Sequence, residues 1–327
     1  MPEGPEVRRV VDKLRSRLKG KELLWKTILS DAKVGKRINF PKYLEEADQF
    51  FPSTCLEILC RGKQIFFFFE NQMAFISGLG TTGHWYYFSL KHDQERLTTY
   101  ETEKNYAKFA LNFGRVHQGE SIVCLSDTKL WYDDQLKRGN FTITNWEGAV
   151  EKMKTLGPDL LATSHPFQDI HPTIRSFLPP IFFQSATCES FTTAIRSTRR
   201  SQMPLCRFLM KQEYFAGIGN YLKSEILYRA RLNPFLLLES LTDQQINTLF
   251  SMTIRTISNA YQSGGLTHGN FLDPDMEKGT FNVYIYKRAG QTDSHGYKIH
   301  FVSEKESPDG RGTYYVPELQ SASAVTF

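Results

Sequence analysis

The spacing of apolar positions changes along the chain. Between 4 and 20, Val7, Val10, Val11, Leu14 and Leu18 recur at helical spacing, with Arg8, Arg9, Lys13, Arg15 and Arg17 on the other face. This predicts an amphipathic helix closed by Gly20. From 22 to about 150 the pattern shortens to apolar and aromatic runs at 65–69, 73–76, 84–88, 108–113, 121–125, 129–132 and 141–143, separated by Gly, Asn and Asp. Runs of this length, with no helical pattern between them, predict an antiparallel sandwich or barrel. The unbroken Phe66-Phe67-Phe68-Phe69 predicts a strand buried on both faces.

Residues 155–185 read as a connector. Leu156-Gly157-Pro158-Asp159 is a turn signal, and Pro166, Pro172, Pro179 and Pro180 forbid long regular elements. Helical spacing returns from 190 to 262. Ser190 is an N-cap candidate before Phe191, Pro204 suits a first turn, a third helix starts at Asn220, and Thr242-x-x-Gln245 is a capping box. After a polar loop from Gly264 to Gly279, strands are expected at 281–288, 297–302 and 314–316, and the chain from Gln320 onward reads as disordered. The fold class is therefore α+β in two domains. Boundaries fall at 1–150 for a helix plus β-sandwich, 151–189 for a linker, 190–280 for a helical domain, 281–320 for a hairpin and 321–327 for a tail.

Composition adds limits. No run of 18 apolar residues exists, and no apolar core follows the N-terminal charges, so neither a membrane span nor a secretion signal is expected. The expected setting is intracellular. Cys55, Cys60, Cys124, Cys188 and Cys206 are scattered and odd in number, which fits reduced thiols rather than a disulfide framework or a zinc site. The net charge is only +5, but residues 190–231 hold eight Lys/Arg against two acids. Basic charge concentrated in one segment is the footprint of a phosphate backbone, although a solvated helix face looks the same by charge alone.

The chemistry-bearing residues begin at the N-terminus, Met1-Pro2-Glu3-Gly4-Pro5-Glu6. A small second residue favours removal of the initiator, which would leave Pro2 with a free secondary amine. Such an amine titrates far below lysine and can form an iminium with an electrophilic carbon. Glu3 beside it supplies a proton shuttle. The plainer alternative is that Pro2 and Pro5 merely start a helix. Lys63, in Arg61-Gly62-Lys63, has the look of an ordinary turn residue. Gly217-Ile218-Gly219 before Asn220 would present backbone N–H groups at a helix N-terminus, a phosphate cradle or a plain tight turn.

In this order the blocks resemble one family over nearly the whole chain, the Fpg/Nei (formamidopyrimidine/endonuclease VIII) base-excision DNA glycosylases. The resemblance is carried by Pro2-Glu3-Gly4-Pro5-Glu6, Arg61-Gly62-Lys63, Leu156-Gly157-Pro158, Gln212 with Ala216-Gly217-Ile218-Gly219-Asn220-Tyr221 and Glu225, and Tyr286-Lys287-Arg288 with Arg311-Gly312-Thr313-Tyr314-Tyr315. It implies two lobes, the second a helix–two-turn–helix domain bearing a hairpin finger, with DNA in the cleft. It implies a DNA glycosylase/AP lyase in which Pro2 is the nucleophile and Glu3 the general acid/base. Lys63, Asn220, Gly219 and Arg311 would hold phosphates, with Lys63 and Arg311 counted in the catalytic set. Glu6 and Glu225 would be supporting carboxylates. The implied partner is damaged DNA, double-stranded and including abasic sites; no cofactor, no metal and no membrane is implied, and the protein would be a monomer.

Two departures qualify the match. Members from bacteria usually hold zinc on four finger cysteines, whereas here no cysteine follows Cys206 and Asp293 stands near an expected ligand position. The finger therefore resembles the zinc-less type of Nei-like enzymes from eukaryotes and large DNA viruses, which leans toward oxidised pyrimidines. The residues that fill the hole left by an extruded base are also altered: Thr81 stands where Met is usual, and Leu136 and Arg138 occupy the second loop. An oxidised-purine preference, with the 264–279 loop as a lid, is the enzyme alternative. A non-catalytic lesion- or nucleic-acid-binding protein is the other.

Overall fold

The computed structural model describes residues 2–28, 49, 51–103, 107–118, 122–136, 138–266 and 271–320. The first helix, α1 (Gly4–Leu18), has the predicted apolar face fully buried, with Arg15 and Arg17 in its last turn. Gly20 follows at a φ of 82°, the left-handed conformation glycine tolerates best.

Eight strands follow: β1 (Glu22–Ile28), β2 (Ser53–Arg61), β3 (Gln64–Phe69), β4 (Met73–Gly78), β5 (Gly83–Ser89), β6 (Ala107–Gln118), β7 (Ile122–Asp134) and β8 (Asn140–Asn145). They run in the order β5-β7-β6-β1-β2-β3-β4-β8. The link between the halves is thin, since β1 and β2 pair only at Glu22 with Thr54 and Leu23 with Ser53. The halves fold face to face instead: Phe67 lies 5.7 Å from Trp85 and Phe109 lies 4.9 Å from Phe141. This is the expected sandwich. The Phe66–Phe69 run divides as period two demands. Phe67 and Phe69 fill the sandwich core against α1, while Phe66 and Phe68 pack outward with Trp146 and Ile174.

Several expectations need correction. A helix, α2 (Gln94–Glu103), interrupts the strand region, and Tyr100 anchors it against Phe88 and Trp131. The runs expected at 121–125 and 129–132 fall, from Ile122 on, in one strand, β7, whose pairing with β6 shifts register beside Gly114. The helix α3 (Trp146–Lys154), capped by Asn145, spans the boundary expected at 150. The connector, as its prolines require, carries only short regular elements among the described residues, such as α4 (Pro172–Phe177).

The second lobe has α5 (Cys188–Arg196), α6 (Leu205–Met210), α7 (Asn220–Arg229) and α8 (Asp243–Gln262). The Thr242/Gln245 capping box forms as predicted. Ser190 is not the N-cap of α5; Thr187 is, and Ser190 is its capping-box partner. The finger carries only β9 (His300–Val302) and β10 (Thr313–Tyr315). The strand expected at 281–288 is absent because the N–H groups of Tyr284, Ile285 and Tyr286 all turn onto the Glu225 carboxylate, at 2.9–3.0 Å. Gln320 is ordered and fully buried: its side chain accepts from the Val316 N–H and donates to the Leu232 carbonyl. The expected tail at 321–327 lies outside the described residues.

The lobes are stitched by α1. Arg9 and Lys13 pair with buried Asp273, and Arg17 with Asp275, so the end of the 264–279 loop is tied to α1. Phe271 enters the sandwich core. Among the described residues no helix is long and apolar enough to cross a membrane.

Glu225→Ala would leave the Tyr284, Ile285 and Tyr286 N–H groups unmet. The variant is expected to lose about 3 kcal/mol or more, seen as a lower urea midpoint. Hydrogen exchange should accelerate at those amides before the sandwich core opens.

Candidate active site in the cleft between the lobes

The first residues of α1 meet the first residues of α7. The Gly4 N–H donates to the Gly217 carbonyl at 2.9 Å. That approach requires bare backbone, because a Cβ on Gly4 would meet the Gly217 Cα at 3.0 Å. Glu3 is buried at the junction. Its carboxylate accepts from the N–H groups of Gly219 at 2.7 Å, Tyr221 at 2.9 Å and Leu222 at 3.2 Å. Glu3 thus places a carboxyl at the N-terminus of α7, where orphan donors and the helix dipole favour its ionised form. The expected phosphate role of the Gly219 N–H is corrected accordingly: that donor is already taken by Glu3.

Burial is the dominant influence on Glu3 and pushes its carboxyl up from 4.5 to about 7; Lys63 and the Tyr221 and Leu222 N–H groups pull the other way, and Glu6 adds to the rise. Such a group exchanges protons readily near neutral pH. Glu6 holds the arrangement from behind. It accepts from the Glu3 N–H at 2.9 Å, the Tyr221 hydroxyl at 2.8 Å and the Leu266 N–H at 2.9 Å.

Lys63 is not a free turn residue. Its Nζ donates to the Ile218 carbonyl at 2.8 Å. Gly62 makes this approach possible: at a φ of 57° it sits so close to the second lobe that a Cβ would meet the Ala216 Cβ at 2.7 Å. Asp159, from the Leu156-Gly157-Pro158-Asp159 turn, accepts from the Gly62 N–H at 2.6 Å and fixes the turn. Burial lowers the Lys63 ammonium from its ordinary value and Arg311 reinforces this, while Glu3 opposes it.

Pro2, Lys63, Arg138 and Arg311 line one cleft of about 380 Å³. Gln64, Asn140 and Met210 line it too, without any sequence signal that singled them out. Asn220 Nδ2 donates to the Gly312 carbonyl at 2.9 Å, so its amide joins α7 to the finger. Glu225 is not at the cleft; it holds the finger's start and pairs with Arg229. Thr81 and Leu136 stand on neighbouring loops, joined because Thr82 Oγ1 accepts from the Leu136 N–H and donates to Asp134. Leu136 is half exposed. The basic cluster at 190–231 shrinks on folding, since Lys223 is fully buried against Asp309 and Arg229 is paired with Glu225.

These features define a two-lobed α+β protein with a basic cleft lined by Pro2, Lys63, Arg138 and Arg311, next to the buried Glu3 carboxyl. The formamidopyrimidine-DNA glycosylase N-terminal domain profile matches residues 1–141, and the formamidopyrimidine-DNA glycosylase H2TH domain profile matches residues 180–271. The formamidopyrimidine-DNA glycosylase of Streptococcus pneumoniae is 25% identical over 326 residues, covering 98% of this chain and 99% of the relative. Endonuclease 8 of Pectobacterium carotovorum is 24% identical over 323 residues, covering 98% and 100%. Among solved structures, a Lactococcus lactis Fpg complex with abasic-site DNA superposes with a TM-score of 0.73 at 20% identity, covering 98% of this chain and 99% of the other. A complex of the same enzyme with DNA containing an oxidised pyrimidine gives 0.72, with 98% and 100% covered. At that identity the structural likeness establishes the fold. The chain belongs to the Fpg/Nei family of base-excision DNA glycosylases.

The raised Glu3 carboxyl has a definite sign. Protonated Glu3 contributes stability that is complete below pH 4.5 and is lost as pH rises through about 7. Glu3→Gln is expected to abolish that loss, measured as thermal midpoint against pH. Lys63→Met should move the Glu3 titration to still higher pH, because Lys63 lowers it; NMR of the labelled carboxyl carbon reads the shift directly.

Proposed function

We propose that this protein is a bifunctional DNA glycosylase/AP lyase acting on oxidised bases in duplex DNA and on abasic sites. The observation that carries the proposal is the placement of Pro2 in one cleft with Lys63 and Arg311, with the buried Glu3 carboxylate next to it in the chain and held by the start of α7. With Met1 removed, the Pro2 amine attacks C1′ of an extruded nucleotide. The N–C1′ bond forms and the glycosidic bond breaks. The base leaves with the bonding electron pair and takes up a proton, and the amine gives up its own. Opening of the C1′–O4′ bond then yields the iminium, with O4′ protonated by Glu3. Loss of a C2′ proton expels the 3′-phosphate, and a second elimination expels the 5′-phosphate.

A buried Glu3 near pH 7 suits both giving and taking a proton. Extrusion of the nucleotide is needed because C1′ attack cannot occur within the stacked duplex. Lys63, Arg311 and Asn220 hold the phosphates flanking the lesion, and Arg138 with Leu136 and Thr81 fills the hole in the stack. The finger works without zinc, and oxidised pyrimidines are the main substrates. The named relatives excise formamidopyrimidines or are endonuclease 8, so purine lesions form the comparison arm of any substrate test.

Borohydride trapping tests the chemistry. Protein verified by mass spectrometry to begin at Pro2 is expected to form a covalent complex with duplex DNA carrying an abasic site or thymine glycol. The complex should vanish when an extra residue precedes Pro2 and fall sharply in Pro2→Gly. Failure of the Pro2 protein to trap either DNA would defeat the proposal. Affinity for DNA should also fall steeply with salt, by about tenfold or more between 50 and 200 mM; a flat dependence would contradict phosphate contacts by the basic cleft.

A further inference from the structure

The finger tip is held to α7 by an ion pair removed from solvent. Lys223 Nζ meets Asp309 Oδ2 at 2.5 Å, with side-chain exposures of 0% and 1%. Lys223 also donates to Thr313 Oγ1 at 2.8 Å. The second oxygen of Asp309 faces the other way. Asp309 Oδ1 accepts from the Ser307 hydroxyl at 2.7 Å and from the backbone N–H of Arg311 at 3.2 Å. One carboxylate therefore joins the body of α7 to the main chain of the cleft arginine.

Lys223 stands three residues after Asn220, on the same face of α7. Asn220 grips the Gly312 carbonyl next to Arg311. The segment from Asp309 to Thr313 is thus fastened on both sides of Arg311 by one helix face, while Arg311 itself stays exposed. A buried pair seldom adds net stability, because desolvation offsets the attraction, and its better-attested use is to fix one geometry.

We propose that Lys223 and Asp309 are positioning residues that set Arg311 over the cleft, doing in this chain what a metal cross-link would do in a cysteine-bearing finger. The proposal rests on the functional reading above only for the identity of the ligand, flanked-lesion DNA.

The test is a double-mutant cycle read by equilibrium binding to duplex DNA bearing a stable abasic-site analogue. In otherwise wild-type protein, Arg311→Ala is expected to weaken binding by about tenfold. In the Lys223→Met/Asp309→Leu background, which removes both charges and keeps the site filled, binding should already be weaker by about tenfold, and Arg311→Ala should add less than about threefold. That background should melt close to wild type, since paired removal of buried charges is tolerated. Asp309→Asn, which keeps an acceptor for the Arg311 N–H, runs the same cycle should the double variant fail to fold, with a smaller loss of coupling. Full additivity in a folded background would overturn the proposal and leave the pair a purely structural contact. Wild-type protein that binds this DNA yet traps no covalent complex on DNA carrying a true abasic site would count against the glycosylase/lyase chemistry, while the cycle would still decide the role of Lys223 and Asp309.

Discussion

The buried Glu3 carboxylate lies where the two lobes meet. Glu3 lies one residue before α1 and accepts three N–H groups at the start of α7. No flexible tail could hold that geometry. Pro5 sits in the first turn of α1, where it needs no N–H partner, and Gly4 and Gly217 let two backbones touch. The same contact that assembles the lobes also places Pro2 in the cleft. The contact that docks the lobes is therefore also the one that builds the site.

That arrangement places opposing demands on Glu3. Three donors and a helix dipole favour the ionised carboxylate, and burial favours the neutral acid. Burial prevails, which brings the group to about 7. Glu6 contributes by orientation: it is bonded to Glu3, Tyr221 and Leu266 together, so α1, α7 and the base of the 264–279 loop share one carboxylate. Gly265 is confined by this contact, since a Cβ there would meet the Glu6 Cγ at 2.7 Å. The far end of the loop is fixed by Arg9, Lys13 and Arg17. The polar face of α1, through Arg9, Lys13 and Arg17, is an inter-lobe seam.

The parts of this structure legible in the sequence are those set by local rules. The α1 periodicity, the Thr242 capping box and the two-sided phenylalanine strand each follow from spacing alone. Pro2, Lys63 and Arg311 were legible as a set only through the order of the motifs, and the structure brings them to one cleft. What could not be read are long-range polar contacts. The Gly219 N–H looks like an open anion cradle until Glu3, 216 positions away, fills it. The 281–288 segment has a strand's composition, but Glu225 captures three successive N–H groups and no ladder can form. Ser190 was misplaced by three residues because Thr187 and Ser190 both satisfy capping chemistry.

The finger shows how a hairpin without cysteines can be fixed. Three carboxylates each gather donors from a different turn: Glu225 at 284–286, Asp293 from His295, Tyr297 and the Tyr228 hydroxyl, and Asp309 from Arg311 and Lys223. Each carboxylate also contacts α7 or belongs to it. A tetrahedral metal would tie the hairpin's own strands together and leave its docking on the helix to other contacts. The carboxylate scheme does both at once, because each of these three turns is closed by a group that also reaches α7. The finger here is an extension of the helix that binds Glu3, so the position of Arg311 and the position of the N-terminus depend on the same eleven residues from Gly219 to Arg229.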